Sequence, residues 1–313
     1  MTRKIIFEEI EFEVDDKGRL LKMTNEGEAK DISIPSELPE GIRVNSLANG
    51  FCEGQYLTIT IEDGISVEEA AFYNALINTV VWPSSQTTIP AKCFEESTIS
   101  KILNIDNVEV VGDEAFSWCY ALYEFTWPSK CKEIPESCFY EAPLKSIFNI
   151  NHVESVASGA FMKTDLQTFR WPDKCTKIPY YCFAFSKLEE ITNIGNVEKI
   201  GGSAFKNTHL KEFNWPPKCK TIPNACFQSS PLKSISGIEN VENIWDCAFE
   251  NTLIKEVVWP ALCMAVPSKC FNCCDELKIL DFSIAMSLRI ENDALSGVSG
   301  AKIYYPYYME ERS

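Results

Sequence analysis

Leu210–Phe227 reads LKEFNWPPKCKTIPNACF, and the regular part of the chain consists of variations on it. Apolar residues at Leu210, Phe213 and Trp215 alternate with polar Glu212 and Asn214, the period of a short half-buried strand. Pro216 ends the strand, because proline supplies no backbone donor. Cys219, Ile222, Cys226 and Phe227 then place four apolar residues along a tightly wound return path. About 22 residues later the pattern starts again, which marks one coil of a solenoid.

The count is regular. Trp-Pro recurs at Trp82, Trp127, Trp171, Trp215 and Trp259, with steps of 45, 44, 44 and 44 residues. Cys-Phe keeps step at Phe94, Phe139, Phe183, Phe227 and Phe271. Ala-Phe falls between, at Phe72, Phe116, Phe161, Phe205 and Phe249. Two coil types therefore alternate, and no single coil can bury its apolar face alone.

Numbering each coil from its first Leu or Ile (Leu122, Leu144, Leu166, Leu188, Leu210) makes the alternation explicit. Position 10 is Cys in one type (Cys131, Cys175, Cys219, Cys263) and Val in the other (Val108, Val153, Val197, Val241). Position 13 is Ile or Val, position 17 Cys or Ala, position 18 Phe, and position 21 small. The pattern L-x-x-L-x-L-P-x-x-C/V-x-x-I-x-x-x-C/A-F resembles the BspA-like class of leucine-rich repeats over roughly residues 45–295. It departs at position 6, where the Val-type coils carry Asn104, Asn149, Asn193 or Gly237 in place of Leu. The resemblance implies an α/β-type repeat solenoid with little α-helix. It would be a curved array with a parallel β-sheet on the concave face and short turns, brief strands or 3-10 segments opposite.

Taken in order, residues 1–30 lie outside the repeat. Ile10–Val14 and Leu20–Met23 around Gly18 predict a β-hairpin cap, which would cover the core and strand edge of the first coil. Residues 31–300 are expected to form about 12 coils, starting at Asp31–Pro35, and residues 301–313, with Ala301–Tyr308, a C-terminal cap and tail. No apolar run of 18 residues or signal-type h-region is present.

The formal net charge of −16 disfavours nucleic acid and anionic membrane surfaces as partners. Residues 1–70 hold 16 acids against 7 bases, an acidic end that would discourage end-to-end stacking. The expected partner is another protein, with a basic surface as one option, and the chain is expected to be a monomer.

Fourteen cysteines suggest disulfides at first sight. Members of each Cys series stand two coils apart, about 10 Å, beyond the reach of a bridge. Their exchange with Val and Ala marks them as small buried hydrophobes. Free thiols favour a reducing, cytoplasmic compartment if Met1 is the native start; the cell surface, reached without a signal peptide, is the other option. Cys270-x-x-Cys273 has the spacing of half a zinc site, but Cys263, Cys270 and Cys274 all fall on core positions, so no metal is assigned.

No catalytic constellation is visible, and the chain is read as a non-enzyme without a cofactor. His152 takes a place held by Asn107, Asn196 and Asn240 in sister coils, and His209 precedes a strand. That Asn series, at position 9, is where leucine-rich repeats bond the next coil, although Lys130, Lys174 and Lys218 interrupt it. The tryptophans read as core residues, with an aromatic carbohydrate-binding strip as the competing possibility.

Positions 3 and 5 of the strand should face outward. They supply the candidate binding face: Leu103, Glu124, Thr126, Phe148, Thr168, Arg170, Glu190, Thr192, Glu212, Asn214, Glu256 and Val258. Leu103, Phe148 and Val258, together with Val81, would be apolar anchors among polar neighbours. The expected function is a non-enzymatic protein-binding scaffold. The family resemblance implies surface adhesion or host-protein binding, and a carbohydrate-binding module is a further option.

Overall fold

Alternating burial begins before the first repeat. The computed structural model describes residues 2–307, and the part of the expected C-terminal tail at Tyr308–Ser313 lies outside them. The chain forms two compact units, one up to Val153 and one from Glu154 onward.

In the first unit, β1 (Thr2–Phe7), β2 (Ile10–Asp15) and β3 (Arg19–Ile34) form an antiparallel meander. Ile10, Phe12 and Val14 are buried on one face of β2 while Glu11 and Glu13 point away, as period two requires. The turn into β3 needs Gly18 at φ 79°, where a Cβ would meet Asn45 Nδ2 at 2.5 Å. Asp15 Oδ1 accepts from the N–H groups of Lys17 (2.8 Å) and Arg19 (2.9 Å) and closes that turn.

Strand β3 runs on into the repeat. Its second half pairs in parallel with Cys52–Ile61, matching Ile32 to Ile59 and Ile34 to Ile61. Leu76–Val81 and Lys101–Leu103 extend the same sheet in parallel. Sequence patterning missed β1 and split β3 in two, because the polar NEGE stretch at residues 25–28 resembles a loop. Asn25, 6% exposed, holds that stretch by donating to the carbonyls of Glu28 and Gln55.

The regular coils repeat a few devices. Each has an outward-facing strand of three residues at positions 3–5 and a second of two residues at positions 12–13. In the second unit Glu212–Asn214 pairs in parallel with Ser234–Ser236, and Thr221–Ile222 with Asn243–Ile244. Between Glu124 and Ser236 the three-residue strands pair in twos, each Trp-bearing coil with the coil that follows, as in Thr168–Arg170 with Glu190–Thr192. The same holds in the first unit, where Glu124–Thr126 pairs with Ser146–Phe148.

Positions 16–20 replace a helix with a tight turn that has a left-handed residue at each end. In one coil of the first unit these are Lys92 (φ 55°) and Glu96 (φ 58°), and in one of the second Ala225 (φ 52°) and Ser229 (φ 61°). Such backbone costs a non-glycine residue about 1–2 kcal/mol. Bonds to the next coil hold it in place: Lys92 N–H to Asp113 O, Phe94 N–H to Ala115 O, and Glu96 N–H to Ser117 O, at 2.9–3.0 Å. Among the described residues, none of the left-handed non-glycine residues is Val, Ile or Thr, the types that tolerate this conformation least.

The position-18 rings stack from coil to coil in each unit. Phe94–Phe116 lie 5.7 Å apart in the first, and Phe161–Phe183 5.5 Å and Phe249–Phe271 5.5 Å in the second. The Trp rings lie beside this column, with Trp215 and Phe227 at 6.2 Å.

The fold is therefore a β-solenoid of stacked parallel coils in each unit. The α/β description does not hold: among the described residues no α-helical segment is formed. Nor do 3-10 segments line the return path. The single one described, Pro39–Gly41, sits in the irregular early coil. The left-handed residues are the physical reason, since they interrupt any run of helical φ.

Candidate protein-binding face

The tryptophans fix where the face lies. All five Trp-Pro indoles are buried, at most 2% exposed. Each Nε1–H donates to the carbonyl four residues on: Trp127 to Cys131 (2.9 Å), Trp171 to Cys175 (2.8 Å), Trp215 to Cys219 (2.8 Å). The same bond runs from Trp82 to Gln86 (3.2 Å) and from Trp259 to Cys263 (3.1 Å). The indole thus closes its own coil and offers no strip to a sugar.

Position 6 of the following coil completes the joint. Asn104, Asn149 and Asn193 have φ near 60° and donate from Nδ2 to the carbonyls of Trp82, Trp127 and Trp171 at 2.7–2.9 Å. Gly237 takes the same left-handed place (φ 75°), and a Cβ there would lie 2.8 Å from Asn214 Oδ1 and Trp215 O. The intercoil asparagine is therefore at position 6, not at the expected position 9. What appeared to be a departure from the repeat is the joint itself, because only Asn and Gly combine left-handed backbone with this close approach. At position 9, Asn107 and Asn196 instead accept from Lys130 (3.0 Å) and Lys218 (3.2 Å).

With position 4 turned inward, and position 6 as well in the Trp coils, positions 3 and 5 face out. In the first unit Leu103 is 39% and Phe148 49% exposed, and Glu124 and Thr126 are exposed between them. These four line a depression of about 490 Å³ whose floor includes Phe125. Val81 is half-buried, so it is a weaker anchor than its position suggests.

In the second unit Thr168, Arg170, Glu190, Thr192, Glu212, Asn214, Glu256 and Val258 are all exposed, Val258 by 56%. Glu190, Thr192, Glu212 and Asn214 line a depression of about 370 Å³. Arg170 Nη2 meets Asp173 Oδ1 at 3.1 Å, and Ser236 Oγ donates to Asn214 Oδ1 at 3.2 Å. Apart from Val258 the row is polar.

The thiols do no such surface work. All fourteen are free, and twelve are buried, leaving Cys247 half-buried and Cys273 exposed. Burial pushes Cys119 and Cys263 up to about 12 and Cys175 up to about 11, and raises Cys138, Cys182 and Cys226 further. These thiols stay neutral, poor as nucleophiles and as ligands. Among the described residues no group of three His, Cys, Asp or Glu side chains could hold a metal. His152 Nε2 lies 3.0 Å from the Pro128 carbonyl and 3.1 Å from that of Cys131, a turn contact.

Sequence reasoning missed a set of exposed side chains on the arc opposite the sheet, notably Tyr180 (62%), Trp245 (57%) and Met264 (65%). Trp245 takes the place of Gly112 and Gly201 in sister coils, and that exchange was legible in the alignment of the repeats.

No curated protein matches the sequence. Among solved structures, a leucine-rich repeat protein from Bacteroides ovatus is similar, with a TM-score of 0.62, 18% identity, and coverage of 98% of this chain and 96% of that one. The pneumococcal vaccine antigen PcpA is similar with a TM-score of 0.55, 16% identity and coverage of 99% and 95%. A leucine-rich cell surface protein from Faecalibacterium prausnitzii follows at 0.51, 16%, 97% and 95%. At these identities the likeness speaks for the fold. Residues 45–164 and 154–278 match the BspA type leucine rich repeat region, in 6 copies. The chain belongs to the BspA-type leucine-rich repeat family.

Proposed function

We propose that this protein is a non-enzymatic scaffold that binds another protein through the outward rows at positions 3 and 5. The observation that carries the reading is the contrast between invariant packing inside the coil and free variation on its sheet face. Leu103 and Phe148 are exposed beside a depression, in strands whose inward residues are fixed by the repeat. An exposed aromatic at the centre of a polar surface is the usual anchor of a protein interface.

Attachment at the cell surface is the setting that the similar structures favour, since one is a cell surface protein and another a vaccine antigen. The free, buried thiols fit either compartment, because burial protects them from oxidants as well. Among the described residues no helix is long and apolar enough to cross a membrane.

The test is capture from both cell lysate and extracellular fractions with immobilised protein. A face variant (Leu103→Ser with Phe148→Ser) is compared with an arc variant (Tyr180→Ser with Met264→Ser). Loss of capture by the face variant alone supports the proposal; loss by the arc variant alone contradicts it. Protease treatment of intact source cells then decides the compartment: digestion places the protein outside, protection until lysis places it within.

A further inference from the structure

One side-chain row in the second unit runs against the charge of the whole chain. Position 2, just before each outward strand, is lysine in four consecutive coils, Lys211, Lys233, Lys255 and Lys278, and Lys302, which pairs with Ile279 at position 3, carries the line into the next coil. Their backbones are bonded directly to one another. Lys233 N–H donates to Lys211 O (2.7 Å), Lys255 to Lys233 (3.2 Å), Lys278 to Lys255 (2.8 Å) and Lys302 to Lys278 (2.8 Å). All five side chains are exposed.

Two features separate this row from a solvated coat. Elsewhere in the unit Lys174, Lys187 and Lys220 reach carboxylates of neighbouring coils, as in Lys174–Glu154 (2.9 Å) and Lys187–Asp165 (2.7 Å). Among the described residues no such ion pair is formed by Lys211, Lys233, Lys255 or Lys278, although Glu212 and Glu256 are next to two of them in sequence. Lys302 lies over the Tyr304 ring at 4.7 Å. The row also ignores the alternation of coil types that governs positions 6, 10 and 17, so packing does not demand it. At the same position the first unit has Asn78, Ser100, Tyr123 and Lys145.

We propose that this lysine stripe docks an extended acidic polypeptide segment of a partner protein. The proposal rests on the protein-binding reading above and gives its partner a chemistry. Stacked like charges repel one another, and a polyanion relieves that repulsion on binding. Strands lie about 4.8 Å apart, so four steps span roughly 19 Å, the length of about six extended residues. Exposed apolar groups flank the stripe at Leu253 (42%), Val258 (56%) and Tyr304 (40%). They fit a peptide whose carboxylates alternate with apolar side chains better than they fit a phosphate polymer. The net charge of −16 likewise opposes a long nucleic acid more than a short acidic segment.

The experiment uses the full chain and a fluorescein-labelled peptide of alternating Glu and Val, read by anisotropy at about 50 mM and about 500 mM salt. The stripe variant is Lys233→Gln, Lys255→Gln, Lys278→Gln. The control removes three other exposed lysines of the same unit, by Lys177→Gln, Lys199→Gln and Lys218→Gln. We expect binding that weakens at high salt, a loss of about tenfold or more in the stripe variant, and less than about twofold in the control. No binding at low salt, or equal losses in both variants, overturns the proposal. Tighter binding of oligothymidylate or polyphosphate than of the peptide, through the same lysines, overturns the assignment to a protein partner. The stripe variant leaves positions 3 and 5 untouched, so failure here, with capture still lost by the Leu103–Phe148 face variant, removes the stripe and spares the face.

Discussion

The inner wall of the coil and its outward sheet face obey different rules in the same few residues. At Glu212–Asn214, Phe213 is 5% exposed and packs on Phe205 at 5.0 Å, while Glu212 and Asn214 on either side are exposed. Inward positions repeat with periods of 22 or 44 residues over both units. Outward positions change from coil to coil, passing from Leu103 and Phe148 to Arg170 and Val258. The difference teaches that the repeat specifies a scaffold, and that whatever this protein recognises is written in the residues the scaffold leaves free.

The comparison can be broken most severely from inside. Phe205→Ala opens a gap in the ring stack between Phe183 (6.1 Å) and Phe227 (5.7 Å), and should cost about 3–5 kcal/mol in chemical denaturation. Gly237→Val should cost about 2–3 kcal/mol, because it combines left-handed backbone with a contact at 2.8 Å to the Trp215 carbonyl. Asn193→Ala loses the 2.7 Å bond to the Trp171 carbonyl and puts alanine at φ 63°, for about 1–2 kcal/mol.

A smaller effect comes from the first unit, where the Arg19 guanidinium grips Glu68 through Nε (2.9 Å) and Nη2 (2.6 Å). The hydrogen bond to Arg19 is the main influence holding the Glu68 carboxyl below its usual range; Ser46 adds to it and partial burial opposes it. A depressed carboxyl contributes stability above its unfolded pKa, and that contribution fades as pH falls through the lowered folded value. The side chains are 43% and 32% exposed, so screening limits the gain to roughly 1 kcal/mol or less. Glu68→Gln should remove it at neutral pH and flatten the stability profile between about pH 5 and pH 3. Smallest of all, Phe148→Ser should move stability by less than about 0.5 kcal/mol while altering binding, the mark of a residue kept for something other than the fold.

The Trp-Pro and Cys-Phe spacings made the coil, its period and its buried side chains legible without coordinates, because each is a one-dimensional record of which side chain faces in. The joint between coils was harder to read. Asn104, Asn149 and Asn193 looked like lapses in a leucine position, since a pattern of hydropathy has no symbol for left-handed backbone. The absence of β-branched residues from positions 16 and 20 was present in the sequence as well, and would have argued for turns over 3-10 segments. Strand β1 and the continuity of β3 escaped because charged and glycine-containing runs such as NEGE read as loops until Asn25 is seen bonding across them. Outward residues such as Glu190 and Thr192 could be placed on the face from spacing alone. Spacing does not record what they bind.

The most direct test of the account is site-specific photo-cross-linking in the source cells, with p-benzoylphenylalanine at Thr192 or Thr126 on the sheet face and at Trp245 or Tyr180 on the opposite arc. We predict discrete protein adducts from Thr192, Thr126 or both, and none from the arc positions. Adducts from the arc with a silent sheet face would contradict the claim that the outward rows of the strands are where this protein binds.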